Sequence, residues 1–191
     1  RGVPKSFEKT IDAIKTLKDN NIPITINSMV GQHNKEHIEE MIGFIDSLNV
    51  KSVLDVIIPE GRAEDLDNSI QESAKIIKDI YENHYNIIDK DAISVSCGIG
   101  NRFVYIKSNG NVYPCPSMTN DNDILGTIED FNIRQIWNVL TSKYNFCCNK
   151  KTDKCKNCSG GCRIRANILN NDLNAEDDVY CIINGVADGK D

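Results

Sequence analysis

Over the first 90 residues, apolar positions switch repeatedly between helical and strand spacing. Phe7, Ile11, Ile14 and Leu17 fall on one helical face, with Ser6 as the expected N-cap and Asn20-Asn21 as the stop. The β-rich run Ile22-Pro-Ile-Thr-Ile-Asn-Ser-Met29 follows, with Pro23 near its start, where a proline is tolerated. Asn34 is the expected cap of a second helix that carries Ile38, Met41, Ile42, Ile45 and Leu48 on one side. Lys51 to Ile58 is nearly continuous in apolar residues, the pattern of a strand covered on both faces in a parallel sheet. The loop Pro59-Glu-Gly-Arg62 leads to a third helix with Ile70, Ala74, Ile77, Tyr81 and His84. Helix, strand, helix, strand, helix is a βαβ grammar and predicts a right-handed parallel α/β arrangement. Two strands are too few for a whole sheet, so residues 1–90 are expected to be the closing part of a longer partial (βα) barrel or sheet.

From residue 91 the grammar changes. Ile93-Ser-Val-Ser-Cys97 alternates, and Phe103-Val-Tyr-Ile-Lys107 and Asn111-Val-Tyr113 flank Ser108-Asn109-Gly110. Asn-Gly between two alternating runs predicts a β-hairpin, with Cys97 just before it and Cys115 just after it. Asn132 to Leu140 reads as a short helix with Ile133, Ile136, Trp137 and Leu140 as its apolar stripe, and Trp137 is expected in the core. Beyond residue 141 the chain is rich in lysine, asparagine and cysteine, with little to fold around. Such a segment generally orders around metal. The expected architecture is therefore a barrel remnant followed by a small cysteine-rich α+β module with a hairpin, over residues 91–191.

Composition narrows the function classes. The 191 residues are 40% hydrophobic and 26% charged, ordinary for a globular chain of one ample domain or two small ones. A formal net charge of −6 argues against a general nucleic-acid-binding surface. No apolar run reaches the roughly 18 residues that crossing a bilayer needs. No leader of the signal-peptide kind is seen either, so the expected setting is cytoplasmic and reducing, where disulfides are disfavoured. The chain begins at Arg1 rather than methionine, and its natural start is expected upstream.

All eight cysteines lie between Cys97 and Cys181: Cys97, Cys115, Cys147, Cys148, Cys155, Cys158, Cys162 and Cys181. Paired short spacings in a reducing setting point to metal rather than to disulfide staples. In Cys155-x2-Cys158 both sulfurs can face one ion or cluster, and Ser159-Gly-Gly-Cys162 adds a third thiolate on a loop whose glycines permit a left-handed turn. That spacing suits zinc in a four-cysteine site or an iron–sulfur cluster. His33 and His37, one turn apart, are expected to be exposed helix residues rather than ligands.

The order Cys97-x12-Gly110-x4-Cys115, then Cys158-Ser-Gly-Gly-Cys162-Arg163, then Cys181 resembles the SPASM domain, the C-terminal auxiliary-cluster module of many radical S-adenosylmethionine enzymes. Residues 1–65 resemble, more weakly, the closing strands of the partial barrel of those enzymes, through Ile22-Pro-Ile-Thr-Ile-Asn27, Asn34 and the Pro59-Glu-Gly-Arg-Ala63 loop. Two departures stand out. The family's Cys-x2-Cys-x5-Cys run is replaced by Cys148-x6-Cys155-x2-Cys158, which leaves the choice between Cys147 and Cys148 open. The Cys-x3-Cys-x2-Cys triad that holds the radical-generating cluster in this family is absent from these residues.

The resemblance implies the C-terminal portion of an oxidoreductase or maturase, with catalysis depending on a preceding half that binds S-adenosylmethionine. It implies up to two auxiliary [4Fe–4S] clusters, one on Cys97, Cys115 and Cys162, the other on Cys155, Cys158 and Cys181 completed by Cys148 or Cys147. A peptide or protein side chain is the implied substrate, and a flavodoxin or ferredoxin the implied electron donor. Arg62 is a candidate for contact with cofactor or substrate, against the plainer reading of a surface arginine. A non-catalytic zinc- or cluster-binding interaction module is the competing class. A thiol oxidoreductase using Cys155 and Cys158 is a poorer fit, because no thioredoxin-like strand precedes Cys155.

Overall fold

A computed structural model describes residues 3–59, 63, 70–83, 97–100, 102–129, 132–144, 148–149 and 160–186. The first layer starts with helix α1 (Ser6–Asp19) and strand β1 (Thr25–Val30). Helix α2 (Ile38–Leu48), strand β2 (Lys51–Val56) and helix α3 (Ile70–Asn83) follow. Strands β1 and β2 pair in parallel, with Thr25 opposite Lys51 and Val30 opposite Val56. Helix α2 forms the crossover between them, as a parallel pair requires. The second layer is antiparallel. Strand β3 (Tyr105–Ile106) pairs with β4 (Asn111–Tyr113), and β4 with β5 (Gly126–Thr127). Three helices complete the chain: α4 (Ile133–Lys143), α5 (Arg163–Asn170) and α6 (Asp178–Ile183).

The helix ends show where local chemistry differs from the simplest reading. Ser6 is already inside α1, because the helix is entered one residue earlier at Lys5, whose φ is +58°. Asn34 does not cap α2. Its side chain turns back to the end of β1, accepting from Gly31 N at 3.0 Å and donating to Met29 O at 2.9 Å. A 3-10 turn, Lys35–His37, then leads into the helix. Asn49 and Asn171 close α2 and α5 in the left-handed conformation that asparagine tolerates better than most residues.

Burial follows the helical period with two exceptions at the surface. Ile14 of α1 is buried, but Phe7 is 63% exposed and stacks on Phe44 at 5.7 Å between ring centroids. In α4, Ile136 and Leu140 are buried and Trp137 packs half-buried against them, whereas Ile133 is exposed. His33 and His37 are exposed, and His37 pairs with Glu40 at 3.3 Å.

One core gathers Val30, Leu54 and Val56 with Ile42 and Ile45 of α2 and Ile77 and Ile80 of α3. Val179 and Ile182 of α6 belong to the same core, so the last helix packs against the first layer. The second core holds Ile99, Met118, Leu140, Tyr144 and Ile164, and Cys97, Cys115 and Cys162 pack against it. Among the described residues, no helix is long and apolar enough to cross a membrane.

The edge of β2 away from β1 is closed by a side chain. Leu54 N donates to the Tyr81 hydroxyl at 3.2 Å, and that hydroxyl donates to Leu54 O at 3.0 Å. Both ladder groups of Leu54 are thereby satisfied without a neighbouring strand. Burial pushes the Tyr81 hydroxyl pKa up, the Leu54 hydrogen bond opposes it, and Asp55 adds to the rise. Tyr81→Phe keeps the ring and strands both backbone groups. Denaturant unfolding should show a loss of about 1–3 kcal/mol, and an unchanged midpoint would mean water replaces the hydroxyl.

Candidate metal centre

Glycines and one buried carboxylate build this site. At Gly161 the backbone has φ +67°, a conformation that suits glycine, and a Cβ there would collide with the Asp177 carboxylate. Asp177 is 1% exposed. Its Oδ2 accepts from Cys162 N at 2.7 Å and from Arg165 Nη2 at 2.7 Å. Its Oδ1 accepts from Arg165 Nε at 2.7 Å, and from Tyr180 N at 3.4 Å as the N-cap of α6. Arg165 reaches further, donating from Nη1 to Asp55 Oδ1 of β2 at 3.0 Å. Its guanidinium is held more firmly protonated than usual: the two carboxylates outweigh the burial that opposes charge. A chain of charge-assisted hydrogen bonds thus runs from β2, through Arg165 and Asp177, to the backbone of Cys162.

Cys162 stands at the start of α5 with its thiol in a cavity of about 340 Å³. Cys97 and Cys115 line the same cavity, as do Asp55 and Ile58 at the carboxyl end of β2, Phe103, Tyr180 and Asn184. Ligands of parallel α/β sheets bind outside the carboxyl ends of the strands, and this cavity has that location. Burial raises the pKa of Cys162, and the charges of Asp177 and Cys97 raise it further. The Arg165 backbone N–H and guanidinium act in the opposite direction. Metal or cluster binding would remove that proton, since the thiolate is the ligand.

The cysteines expected as ligands divide as follows. Cys97, Cys115 and Cys162 share the cavity. Cys148 is half-buried and Cys181 is buried in α6. Cys147, Cys155, Cys158, the candidate Arg62 and His84 lie outside the described residues. Among the described residues, no three His, Cys, Asp or Glu side chains gather tightly enough for a single metal ion. Thiolates around one zinc stand about 3.8 Å apart, given Zn–S bonds of about 2.3 Å in a tetrahedron. A four-iron cluster gives each thiolate its own iron and spreads them wider.

Sequence reasoning did not find Asp55, Arg165 or Asp177. The only local sign was an aspartate two residues before Val179, a helix-start signal.

Residues 97–160 match the family model of SPASM, an iron-sulfur cluster-binding domain. The match includes six of the eight cysteines, Cys97 to Cys158, and stops short of Cys162 and Cys181. The AdoMet-dependent heme synthase of Methanosarcina barkeri is 26% identical over 227 residues, covering 95% of this chain and 62% of its own length. The cysteine-type anaerobic sulfatase-maturating enzyme of Clostridium perfringens is 22% identical over 209 residues, covering 92% and 56%. The chain therefore spans about six-tenths of the length of these curated relatives. Native anSMEcpe with bound AdoMet shares the fold, with a TM-score of 0.70 at 19% identity over 93% of this chain and 57% of that one. The same protein with AdoMet and the Cp18Cys peptide gives 0.68 at 18% identity. The chain resembles the C-terminal portion of radical S-adenosylmethionine enzymes that carry a SPASM domain.

Replacing Arg165 by Leu would leave the Asp177 carboxylate buried and uncompensated. We expect about 3–5 kcal/mol lost on unfolding, measured by denaturant titration of the anaerobically reconstituted chain against its parent. A loss below about 1 kcal/mol, the scale of an exposed ion pair, would mean the pair is solvated.

Proposed function

We propose that this chain is the C-terminal portion of a radical S-adenosylmethionine oxidoreductase or maturase, and that its cysteines hold two auxiliary [4Fe–4S] clusters. The observation that carries the reading is the convergence of Cys97, Cys115 and Cys162, far apart in sequence, on one cavity at the carboxyl end of β2. They are the first ligand set, with a position left over for a fourth ligand or for substrate. Cys155, Cys158 and Cys181 are the second, completed by Cys148 or Cys147. The soft thiolate donors fit such clusters. When bound, the clusters supply one-electron transfer, in and out through a flavodoxin or ferredoxin.

The chain's own residues have separate tasks. Asp177 and Arg165 fix the backbone of Cys162 against β2, so that the thiolate keeps its position when a neighbouring sulfur loses its proton. Phe103, Ile58 and Ile183 contribute apolar side chains to the cavity, and Asp55 contributes a carboxylate. A peptide or protein side chain is the proposed substrate, supported by the likeness to a maturase fold seen with a bound peptide. A heme-forming reaction is the second reading, favoured by the 26% identity to heme synthase against 22% to the sulfatase-maturating enzyme. In either case S-adenosylmethionine binding and cleavage belong to the complete protein, because these residues do not contain the Cys-x3-Cys-x2-Cys triad.

Anaerobically purified and reconstituted chain should hold about eight irons with matching sulfide, the content of two four-iron clusters. One or two zinc ions without sulfide in the anaerobic preparation would sink the cluster reading and leave a zinc-binding interaction module. Cys97→Ala and Cys181→Ala should each reduce the iron content, and unchanged iron in both would refute the ligand sets.

A further inference from the structure

Two arginines stand two residues apart at the start of α5, and only one of them has a partner for every guanidinium nitrogen. Arg165 is fully engaged by Asp177 and Asp55. Arg163 is more deeply buried, at 2% exposure. Its Nη1 donates to Leu173 O at 3.1 Å and to Ala175 O at 2.9 Å. Its Nε and Nη2 are buried and have no hydrogen-bond partner among the described residues. A guanidinium has no acceptor capacity and stays charged, so donors sealed from water are costly unless an acceptor meets them.

The surroundings say what kind of acceptor. A Cβ placed on Gly160 would lie 3.5 Å from Arg163 Nη2 and 3.7 Å from the backbone N of Cys148. The open edge of the guanidinium therefore faces the place where the glycine preceding Gly161 and Cys162 comes close to Cys148. The same place is fixed from the other side. Asn149 N donates to Asn174 O at 2.9 Å, and Asn174 lies between the two residues whose carbonyls anchor Arg163. One short segment, 173–175, thus holds both the arginine and the backbone next to Cys148.

Resting on the proposed second ligand set, and taking Cys148 as the residue that completes it, we infer that Arg163 donates its Nε and Nη2 hydrogens to sulfur of the cluster that Cys148 helps to hold. Charge-assisted donors to sulfur favour the more negative, reduced state and so raise a cluster's reduction potential. Arg163 is then a positioning and tuning residue that sets one auxiliary cluster apart from the other. Arg165 serves the Cys162 side through Asp177, with each of its three nitrogens already on a carboxylate.

The test uses the anaerobically reconstituted chain, with iron, sulfide and the potential of each cluster followed by electron paramagnetic resonance. Arg163→Met keeps a long stem and removes the donors, while Arg163→Lys keeps the charge with fewer directed hydrogens. We expect both variants to retain iron. One cluster should become harder to reduce, more so in Arg163→Met than in Arg163→Lys, and the other should be unmoved. Equal potentials in parent and variants would overturn the inference, as would an equal shift of both clusters. Failure of both variants to fold or to load iron would also overturn it, by making Arg163 a structural pillar. A parent chain without iron and sulfide would instead sink the cluster reading, and this inference with it.

Discussion

A single buried carboxylate keeps the two layers of this protein in register. Asp177 accepts from the backbone of Cys162, from two nitrogens of Arg165 and from the first turn of α6. Moving a carboxylate and a guanidinium out of water costs several kcal/mol per ion, and only complete hydrogen bonding offsets it. The remaining nitrogen of Arg165 spends its hydrogen on Asp55, which fixes α5 against β2. An ion pair of this kind contributes little net stability compared with a well-packed apolar substitute. What it supplies is geometry: the backbone of Cys162 is held, through Asp177 and Arg165, to a strand whose Asp55 lies 110 residues from Arg165 in sequence.

How far the sequence was legible depends on the range of the interaction involved. Helices α1 to α4 and the two parallel strands announced themselves because their apolar periods are local properties of the chain, whereas α5 and α6, in the cysteine-rich tail, were not read. Asn34 misled as a cap because its side chain has two equally local choices, the helix ahead and the strand behind, and the turn at Gly31 favours the second. Ile133 satisfied the helical period of α4, yet it lies at the outer end of the stripe and remains exposed. Asp177 and Arg165 were invisible for a different reason. A carboxylate twelve residues from an arginine has no periodic signature, and only the packing of α6 onto α3 brings the two together.

β2 illustrates the same point on a strand. Its near-continuous apolar run predicted cover on both faces, but the faces are unequal. Ser52, Leu54 and Val56 are buried, while Val53 and Asp55 are half-buried and line the cavity. Asp55 interrupts the apolar run at the position where the strand meets the cysteines. Departures from local rules of this kind concentrate where a protein does chemistry. The Asn109-Gly110 turn signal put Cys97 and Cys115 on either side of one hairpin, and only the family resemblance added Cys162, which local patterning could not reach; all three line one cavity.

The interior also carries an imbalance of charge that bears on what fills it. Residues two apart on a helix point to different sides, so Arg163 and Arg165 face separate surroundings. Arg165 meets two carboxylates. Arg163, more deeply buried, meets only two neutral carbonyls among the described residues. A charge taken out of water is stable when an opposite charge is close, and aspartate does not fill that role here. Gly160, beside Nη2 of Arg163, approaches the backbone of Cys148, and a thiol bound to metal is an anion. On the proposed ligand sets, cysteines that bind a cluster would supply the negative charge that Arg163 needs, so that loading the site and completing the core would become a single event.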